Sequence, residues 1–195
     1  MNFLEQRIAR DGKVRAGNIL KVDMFLNHQV DVSLIVEMAK WWKEKFSDVT
    51  VDRILTIEAS GIALAVIAAE HFGVPVVFAK KRPSLNISDD VYSAKVHSFT
   101  HGDDNNIVVS KEYLREGENV LIIDDFLADG NASLGLVSLA EQAGCTVCGI
   151  GIAIEKGFQS GGRILRDAGY RVESIAVIES MDDVNGKIVF MSQDM

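Results

Sequence analysis

The sequence predicts an α/β fold in which a parallel-rich central sheet is flanked by helices. Apolar runs of strand length alternate with segments of helical periodicity along most of the 195 residues. The composition, with 48% hydrophobic and 25% charged residues, is close to that of an average globular protein. A chain of this length suits one domain, which we predict to span residues 1–195.

Two amphipathic helices are expected near the start of the chain. Residues 2–11 have apolar side chains at helical spacing, and Gly12 ends the pattern. Residues 32–46 repeat the pattern after Asp31, which is a favourable N-cap residue. The apolar and aromatic side chains of this second helix are expected to belong to the core.

From residue 53 onward, strands and helices alternate. We expect strands at 53–57, 74–79, 92–98, 106–109, 119–123, 146–154 and 172–178, and helices at 61–72, 132–143 and 158–168. The polar residues 80–90 predict an exposed, mobile loop that leads into a hairpin with its turn at 101–106. Strands that alternate with helices of this length are typical of βαβ units, so the strands should be mostly parallel.

Composition disfavours several classes of partner. The net charge of −8 argues against nucleic acid, because phosphate binding requires a basic surface. No apolar run reaches the roughly 18 residues of a membrane span, and the first residues do not resemble a signal peptide. We therefore expect a cytoplasmic protein without a membrane partner. The pair Cys145 and Cys148 is expected to be two buried thiols, because residues three apart on a strand face opposite ways.

The segment 119–133 is the most informative part of the chain. Its apolar run leads into Asp124 and Asp125, which we expect at the carboxyl end of a strand, where open α/β sheets bind ligands. The small residues that follow allow backbone N–H groups to approach an anion at a helix N-terminus. These features suit a sugar phosphate, with carboxylates for the ribose hydroxyls and amides for the phosphate. The alternative is a pair of solvated acids that cap the next helix.

Two further segments follow predicted strands at the same edge of the sheet. Ser60 and Gly61 open a helix, either as an ordinary turn with a serine cap or as a second anion-binding loop. The basic run 80–82, which includes Lys81, is either a solvated surface or a positive charge that neutralises a diphosphate leaving group. Two anion-binding loops would suit a ligand with two separate phosphate groups.

Lys156 follows another predicted strand. Its ammonium group could pair with Glu155, lie in solvent, or donate to a carbonyl oxygen of a flat heterocycle. Phe158 could stack on such a ring or belong to the core. The local sequence leaves these alternatives open.

Together these segments resemble a known family. The run 120–132 resembles the motif with which type I phosphoribosyltransferases bind 5-phosphoribosyl 1-diphosphate (PRPP): an apolar strand, two acids and a loop that grips the 5-phosphate. The resemblance covers nearly the whole chain and is strongest to bacterial purine-salvage members that act on xanthine. The segments that carry it are 19–29, 74–79, 121–128, 149–156 and 169–174.

The resemblance implies an activity and an architecture. The reaction would convert xanthine and PRPP to xanthosine 5′-monophosphate and diphosphate, with Mg²⁺ associated with PRPP and a homodimer as the assembly. The type I fold would place the PRPP-binding core at about residues 50–180. A small N-terminal hood over the base would comprise mainly residues 1–45 and part of the C-terminus. The loop around residues 81–95 would close over PRPP.

The resemblance also implies roles for individual residues. Asp124, Asp125 and Lys81 would be the catalytic residues. Leu20, Asn27 and Lys156 would contact the purine base. The 5-phosphate would be bound by Ala128, Asp129, Gly130, Asn131 and Ala132, and the diphosphate by Ser60 and Gly61 together with Lys81.

Two positions depart from the pattern of the family. Ala128 stands where hypoxanthine-guanine members carry a third acid, so base catalysis from this loop is not expected. Asp129 stands where many relatives have an uncharged residue, and we expect its carboxylate to turn away from the phosphate. The alternative functions are a guanine- or hypoxanthine-specific transferase and a PRPP-sensing regulator without turnover. A regulator that binds nucleic acid should carry an added DNA-binding domain or a broad basic face.

Overall fold

The computed structural model describes residues 1–81, 90–97 and 104–192. Within them, six strands form one sheet: β3 (Arg53–Ile57), β4 (Val76–Ala79), β7 (Asn119–Leu127), β8 (Thr146–Lys156), β9 (Val172–Asp182) and β10 (Lys187–Phe190). Their order across the sheet is β10-β9-β8-β7-β3-β4. Neighbouring strands from β4 to β9 are parallel, and only the edge strand β10 is antiparallel to its neighbour. The predicted parallel-rich sheet is confirmed.

Helices cover both faces of this sheet. The helices are α1 (Phe3–Asp11), α2 (Val32–Lys45), α3 (Gly61–Phe72), α4 (Asn131–Gln142) and α5 (Gly161–Asp167). Helices α1 to α3 supply one hydrophobic cluster, in which Trp42 is fully buried. Helices α4 and α5 supply the cluster on the opposite face, which includes Leu136 and Leu165. The two clusters bury the apolar faces of both layers, which is the main driving force for this arrangement.

Two small hairpins complete the described fold. β1 (Lys13–Arg15) pairs with β2 (Ile19–Lys21), and β5 (Val91–His97) pairs with β6 (Asp104–Ser110). The second hairpin was expected. Of its predicted turn at 101–106, residues 101–103 lie outside the described residues, and residues 104–106 belong to β6 and not to a turn. The first was not predicted, because three-residue strands with exposed ends carry no readable periodicity.

Several predicted bounds needed correction. Strand β4 begins two residues later than expected, and β8 and β9 end two and four residues later. Strand β7 continues to Leu127, past the expected end at residue 123. Helix α5 begins at Gly161 and not at residue 158, because residues 157–160 form a turn. The N-terminal segment contains a short π-helical turn, Asp23–Asn27, between β2 and α2, and its i→i+5 bonding leaves no signal in the sequence. Most of the predicted mobile loop, residues 82–89, lies outside the described part of the chain.

The N-terminal segment is tied to the sheet and to α2. Asn2 caps α1, and its side-chain amide donates to the carbonyl oxygen of Ile175 in β9 at 2.5 Å. Arg7 in α1 donates to Asp31, the N-cap residue of α2, at 2.8 Å. These contacts place the β1-β2 hairpin and the π-helical turn beside the sheet.

Two observations bear on the predicted surroundings of the protein. Each helix of the described residues is too short or too polar to cross a bilayer. Both cysteines are free thiols, and Cys145 is buried while Cys148 is partly buried. Burial raises the pKa of Cys148 to about 11, so its thiolate is scarce at neutral pH.

Candidate active site

A cavity of about 240 Å³ opens where the parallel strands end. It is lined by segments that are far apart in the sequence. Ser60 comes from the loop after β3, Lys81 from the segment after β4, and Asp124 and Asp125 from β7, and they meet the loop at residues 128–133. The structure thus brings together most of the residues predicted to contact PRPP.

Asp124 and Asp125 lie inside β7 and not beyond its end, which corrects the expected position. Their exposed fractions are only 3% and 8%. Burial is possible because each carboxylate accepts a hydrogen bond from the next backbone N–H. Asp125 N donates to Asp124 Oδ1 at 2.9 Å, and Phe126 N donates to Asp125 Oδ1 at 3.0 Å. The alternative of two solvated acids capping a helix is therefore wrong.

The pKa of the buried Asp124 carboxyl is strongly perturbed. Burial raises its pKa well above the ordinary aspartate value, and the negative charge of Asp125 raises it further. The positive charge of Lys81 acts in the opposite direction. A carboxylate whose charge is destabilised by burial gains most from a ligand that donates hydrogen bonds or carries positive charge.

Gly61 lies behind Asp124 and not on the cavity surface. A Cβ atom at this position would overlap the Thr56 hydroxyl and stand 3.0 Å from Asp124 Oδ1. The Thr56 hydroxyl is buried and finds no hydrogen-bond partner among the described residues. Glycine is therefore needed here to leave room for the carboxylate, and its predicted contact with diphosphate remains a prediction.

The loop at residues 128–132, hereafter the phosphate loop, turns sharply into α4. Gly130 has φ +89° at the N-cap position, a conformation that glycine adopts without strain. Asp129 accepts hydrogen bonds from Asn131, at 3.4 Å from its backbone N and at 3.0 Å from its Nδ2. Its carboxylate therefore folds back onto the loop as an Asx turn, and it accepts from the backbone N–H of Asn131, a residue predicted to bind the 5-phosphate.

Sequence reasoning missed Gly161, the first residue of α5. Its N–H donates to the carbonyl oxygen of Ala128 at 3.0 Å. A Cβ atom on Gly161 would stand 2.5 Å from the backbone N of Gly130, so only glycine allows this approach. The available signal was the pair Gly161-Gly162 inside the helix predicted at 158–168, where two glycines weaken a helix unless close packing requires them.

Ser60 and Lys81 occupy the other side of the cavity. Ser60 precedes α3 but makes no side-chain capping bond, so the alternative of a serine cap is wrong. The backbone N of Lys81 donates to Glu58 Oε1 at 2.6 Å, which ties the loop after β3 to the segment after β4. The peptide bond between Glu58 and Ala59 is cis.

The residues predicted to contact the base lie outside this cavity lining. Lys156 Nζ donates to the carbonyl oxygen of Asn18 at 2.9 Å and lies 6.0 Å from the centre of the Phe126 ring. Burial lowers the pKa of Lys156, and the charge of Asp129 opposes that change. Asn18 belongs to the turn of the β1-β2 hairpin, so Lys156 contacts the element that carries the buried Leu20.

The other predicted contacts of this region are more peripheral. Asn27 is exposed at the end of the π-helical turn, and Phe158 is 37% exposed in the turn after β8. Glu155 does not pair with Lys156, because its carboxylate binds Arg166. Lys156 therefore forms no ion pair with Glu155, its neighbour in the sequence.

The site offers oxygen donors to a cation but not a complete set of ligands. Among the described residues, no three His, Cys, Asp or Glu side chains cluster as a metal site. The Asp124 and Asp125 carboxylates supply hard oxygen ligands of the kind that Mg²⁺ prefers, and Mg²⁺ commonly combines one or two carboxylates with substrate phosphates. The donor set thus fits a cation that arrives with a phosphorylated ligand.

Comparison with known proteins identifies the family of this chain. The family model of the phosphoribosyl transferase domain matches residues 21–184. A curated xanthine phosphoribosyltransferase from Bifidobacterium adolescentis is 56% identical over 193 residues, which cover 98% of this chain and 100% of that protein. Xanthine phosphoribosyltransferase 1 from Clostridium perfringens is 55% identical, with coverage of 94% and 97%.

Solved structures agree on the fold. An adenine phosphoribosyltransferase from Trypanosoma brucei, in complex with AMP, pyrophosphate and ribose-5-phosphate, superposes with a TM-score of 0.75 at 15% identity, covering 90% of this chain and 79% of that one. An adenine phosphoribosyltransferase from Rhodothermus marinus gives 0.72 at 20% identity, with coverage of 89% and 97%. The predicted type I fold is confirmed. The chain belongs to the phosphoribosyltransferase family, within the group of xanthine phosphoribosyltransferases.

Proposed function

We propose that this protein transfers the phosphoribosyl group of PRPP to xanthine, which yields xanthosine 5′-monophosphate and diphosphate in purine salvage. One observation carries the proposal. A single cavity joins a buried carboxylate pair to a glycine-containing loop at a helix start and to a second loop with Lys81. A ribose with a phosphate at one end and a diphosphate at the other matches this arrangement. The choice of xanthine is supported by relatives of that name at 55% and 56% identity.

Each group of the cavity has a defined task in this proposal. Asp124 and Asp125 accept hydrogen bonds from the ribose hydroxyls, and amides of the phosphate loop donate to the 5-phosphate. Ser60 and Lys81 bind the diphosphate as it leaves. Substitution at the anomeric carbon places positive charge on the ribose and negative charge on the diphosphate. The carboxylates stabilise the first charge and Lys81 the second.

Mg²⁺ belongs to this proposal as a companion of PRPP. Asp124 and Asp125 would hold it together with oxygens of the substrate, and it would neutralise the charge on the departing diphosphate. The ribose-5-phosphate and pyrophosphate bound by the Trypanosoma brucei enzyme are the two ends of such a ligand.

Recognition of the base is assigned to the N-terminal segment and the end of β8. The Lys156 ammonium would donate to the 6-carbonyl side of the purine in place of its present bond to Asn18. Asn27 would donate to the 2-carbonyl oxygen, which distinguishes xanthine from hypoxanthine, and Leu20 would pack against the ring. A site built to bond a polar group rejects ligands that lack it, because its own polar groups would stay unpaired.

A spectrophotometric assay with PRPP, Mg²⁺ and each purine base tests the proposed function. We expect turnover with xanthine at a higher kcat/KM than with guanine or hypoxanthine. A preference for guanine or hypoxanthine would reject the assigned base. PRPP binding without turnover of any base would favour a PRPP-sensing regulator.

Replacement of Lys156 by alanine should affect the base far more than the sugar donor. Loss of a charge-assisted hydrogen bond is expected to raise KM for xanthine about 10- to 100-fold. KM for PRPP should change by less than about 3-fold, because that ligand is bound by other elements. Steady-state kinetics with each substrate varied in turn give both values.

The matched control is Lys187→Ala, which removes an exposed lysine from β10. Lys156→Arg keeps the charge and donors, so it should recover part of the xanthine affinity. Equal losses of affinity for xanthine and PRPP in Lys156→Ala would refute the assigned role.

The assembly and location of the protein are part of the same proposal. A homodimer is expected from the family resemblance, and a cytoplasmic location from the composition. The edge strand β4 offers an apolar groove of about 430 Å³ with Phe78 and Tyr113 partly exposed, which suits a protein contact. Light scattering with size-exclusion chromatography would report the mass, and a monomer at micromolar concentration would argue against the dimer.

A further inference from the structure

Glu155 is a buried acid that the proposed reaction does not use. It stands at the end of β8, beside Lys156, with an exposed fraction of 4%. Its two carboxylate oxygens accept from Arg166 Nη1 at 2.7 Å and Nη2 at 2.8 Å, and Oε2 also accepts from Ser174 Oγ at 2.5 Å. Burial raises the pKa of Glu155, but the hydrogen bonds from Arg166 and Ser174 bring it below the ordinary value. A fully bonded, ionised carboxylate of this kind suits a structural constraint and not proton transfer.

Arg166 connects this acid to the phosphate loop through α5. The helix has only seven residues, Gly161–Asp167, and Arg166 lies in its last turn. The first residue of the helix is Gly161, whose N–H donates to the carbonyl oxygen of Ala128 at 3.0 Å and which packs against the backbone of Gly130. The second residue, Gly162, packs so closely on Glu155 that a Cβ atom there would overlap the carboxylate. Helix α5 is therefore held between the ion pair on one side and the phosphate loop on the other.

We propose that Glu155 and Arg166 are positioning residues for the 5-phosphate of the sugar donor, acting through α5 on the phosphate loop. The proposal rests on the proposed function, in which that loop binds PRPP. The bidentate guanidinium-carboxylate pair sets the distance and the rotation of α5, because its two parallel bonds tolerate only one relative orientation. Gly161 transmits that position to Ala128 and Gly130 by backbone contact.

The precision of this contact matters for binding. Loop amides bind a phosphate only when several N–H groups converge on it, and a displacement of about 1 Å can reduce catalysis about 100-fold. The Asx turn of Asp129 is the loop's own side-chain support, and Gly130 at the N-cap position adds none. The close approach of Gly161 supports the loop from the side that faces α5.

Arg166→Met and Arg166→Lys test the proposal in the full-length protein. Methionine removes the donors and should raise KM for PRPP about 10-fold, with KM for xanthine within about 2-fold of wild type. Lysine keeps the charge but cannot donate the two parallel hydrogen bonds of the guanidinium group, so it should restore only part of the PRPP affinity. The control is Arg171→Met. The Arg171 Nη1 donates to both carboxylate oxygens of Asp48, at 2.7 and 2.9 Å, just before β9 begins. Among the described residues its side chain bonds to Asp48, Glu173 and Lys45 and not to α5 or the phosphate loop, so its loss should leave both KM values unchanged.

Gly161→Ala supplies a second variant that leaves the ion pair in place. Its methyl group would stand 2.6 Å from the Ala128 carbonyl oxygen, so the phosphate loop must shift. The same selective rise in KM for PRPP is expected. If Arg166→Met does not fold, Gly161→Ala and Arg166→Lys carry the test.

The outcomes separate this proposal from the proposed function. Folded Arg166 and Gly161 variants with wild-type KM for PRPP would overturn the positioning role. So would an equal rise in KM for PRPP and for xanthine, or a rise matched by Arg171→Met. A wild-type protein that binds no PRPP in calorimetry would refute the proposed function itself, before any variant is compared.

Discussion

Replacement of both Asp124 and Asp125 by asparagine is expected to lower kcat/KM for PRPP about 1,000-fold. The substitution keeps the shape of the side chains but removes the negative charge that faces the ribose. Transition states that develop positive charge lose most from such a change, because the charges act in a buried site. Initial rates at saturating xanthine, with PRPP varied, give the ratio. A double variant with more than a tenth of wild-type kcat/KM would exclude the assigned role.

Removal of the two carboxylates should lower activity, whereas the single substitution Asp124→Asn should raise the free energy of unfolding at neutral pH. Burial and the neighbouring Asp125 raise the native pKa of Asp124. Below the ordinary aspartate pKa, the carboxyl group is protonated in both states and carries no penalty. The native state loses stability as the pH rises through the raised pKa, because the charge must then form inside the protein. At neutral pH the asparagine variant should therefore be more stable, by about 1 kcal/mol.

Thermal unfolding of wild type and Asp124→Asn across pH checks this sign. The advantage of the variant should shrink as the pH falls toward the ordinary range of aspartate. A variant that is less stable at neutral pH, or an advantage independent of pH, would contradict a raised pKa. An inactive but stabilised variant would also show that loss of activity does not come from loss of the fold.

Gly130→Ala should raise KM for PRPP about 100-fold, and Gly169→Ala should not change it. The two glycines form a matched pair, with φ +89° and +90°. Both substitutions force alanine into the left-handed region, at a cost of about 1 kcal/mol of folding free energy. At Gly130, however, the new Cβ would also stand 3.0 Å from Gly161 Cα, whereas at Gly169 nothing lies within 4 Å.

Parallel measurements of melting temperature and kinetics separate the two effects. Similar losses of stability with a rise in KM for PRPP only in Gly130→Ala would support the phosphate loop as the binding element. Equal KM values in the two variants would contradict it. The comparison does not depend on knowing the base, since guanine or hypoxanthine could replace xanthine if either is turned over.

Local patterns predicted the scaffold well, because periodicity is a local property. The helix after Asp31 and the strand Arg53–Ile57 lie where apolar spacing placed them, and Asp31 caps its helix as expected. The hairpin β1-β2 could not be predicted, since its three-residue strands are defined only by their pairing. Helix α5 was predicted three residues too early, because apolar spacing cannot show that Gly161 must bond to Ala128, 33 positions away in the sequence.

The candidate site was predictable in its membership but not in its environment. The order of acids and small residues in segment 119–133 indicated the cavity that the structure contains. Asp124 can be buried because its carboxylate accepts a hydrogen bond from the backbone N–H of Asp125. The pattern of apolar residues along a strand does not reveal such a bond. The pairing of Glu155 with Arg166 joins β8 to α5, so no local motif predicts it. The functional roles of Leu20, Asn27 and Lys156 stay predictions.

A crystal structure of the protein with PRPP and Mg²⁺ is the most direct test of where the donor binds. We expect density for the 5-phosphate against the backbone amides of residues 130–132, and density for the ribose hydroxyls within hydrogen-bond distance of Asp124 and Asp125. The diphosphate should lie toward Ser60 and Lys81. Density for PRPP at another surface, with the cavity beside the two aspartates left to solvent, would contradict the proposed site.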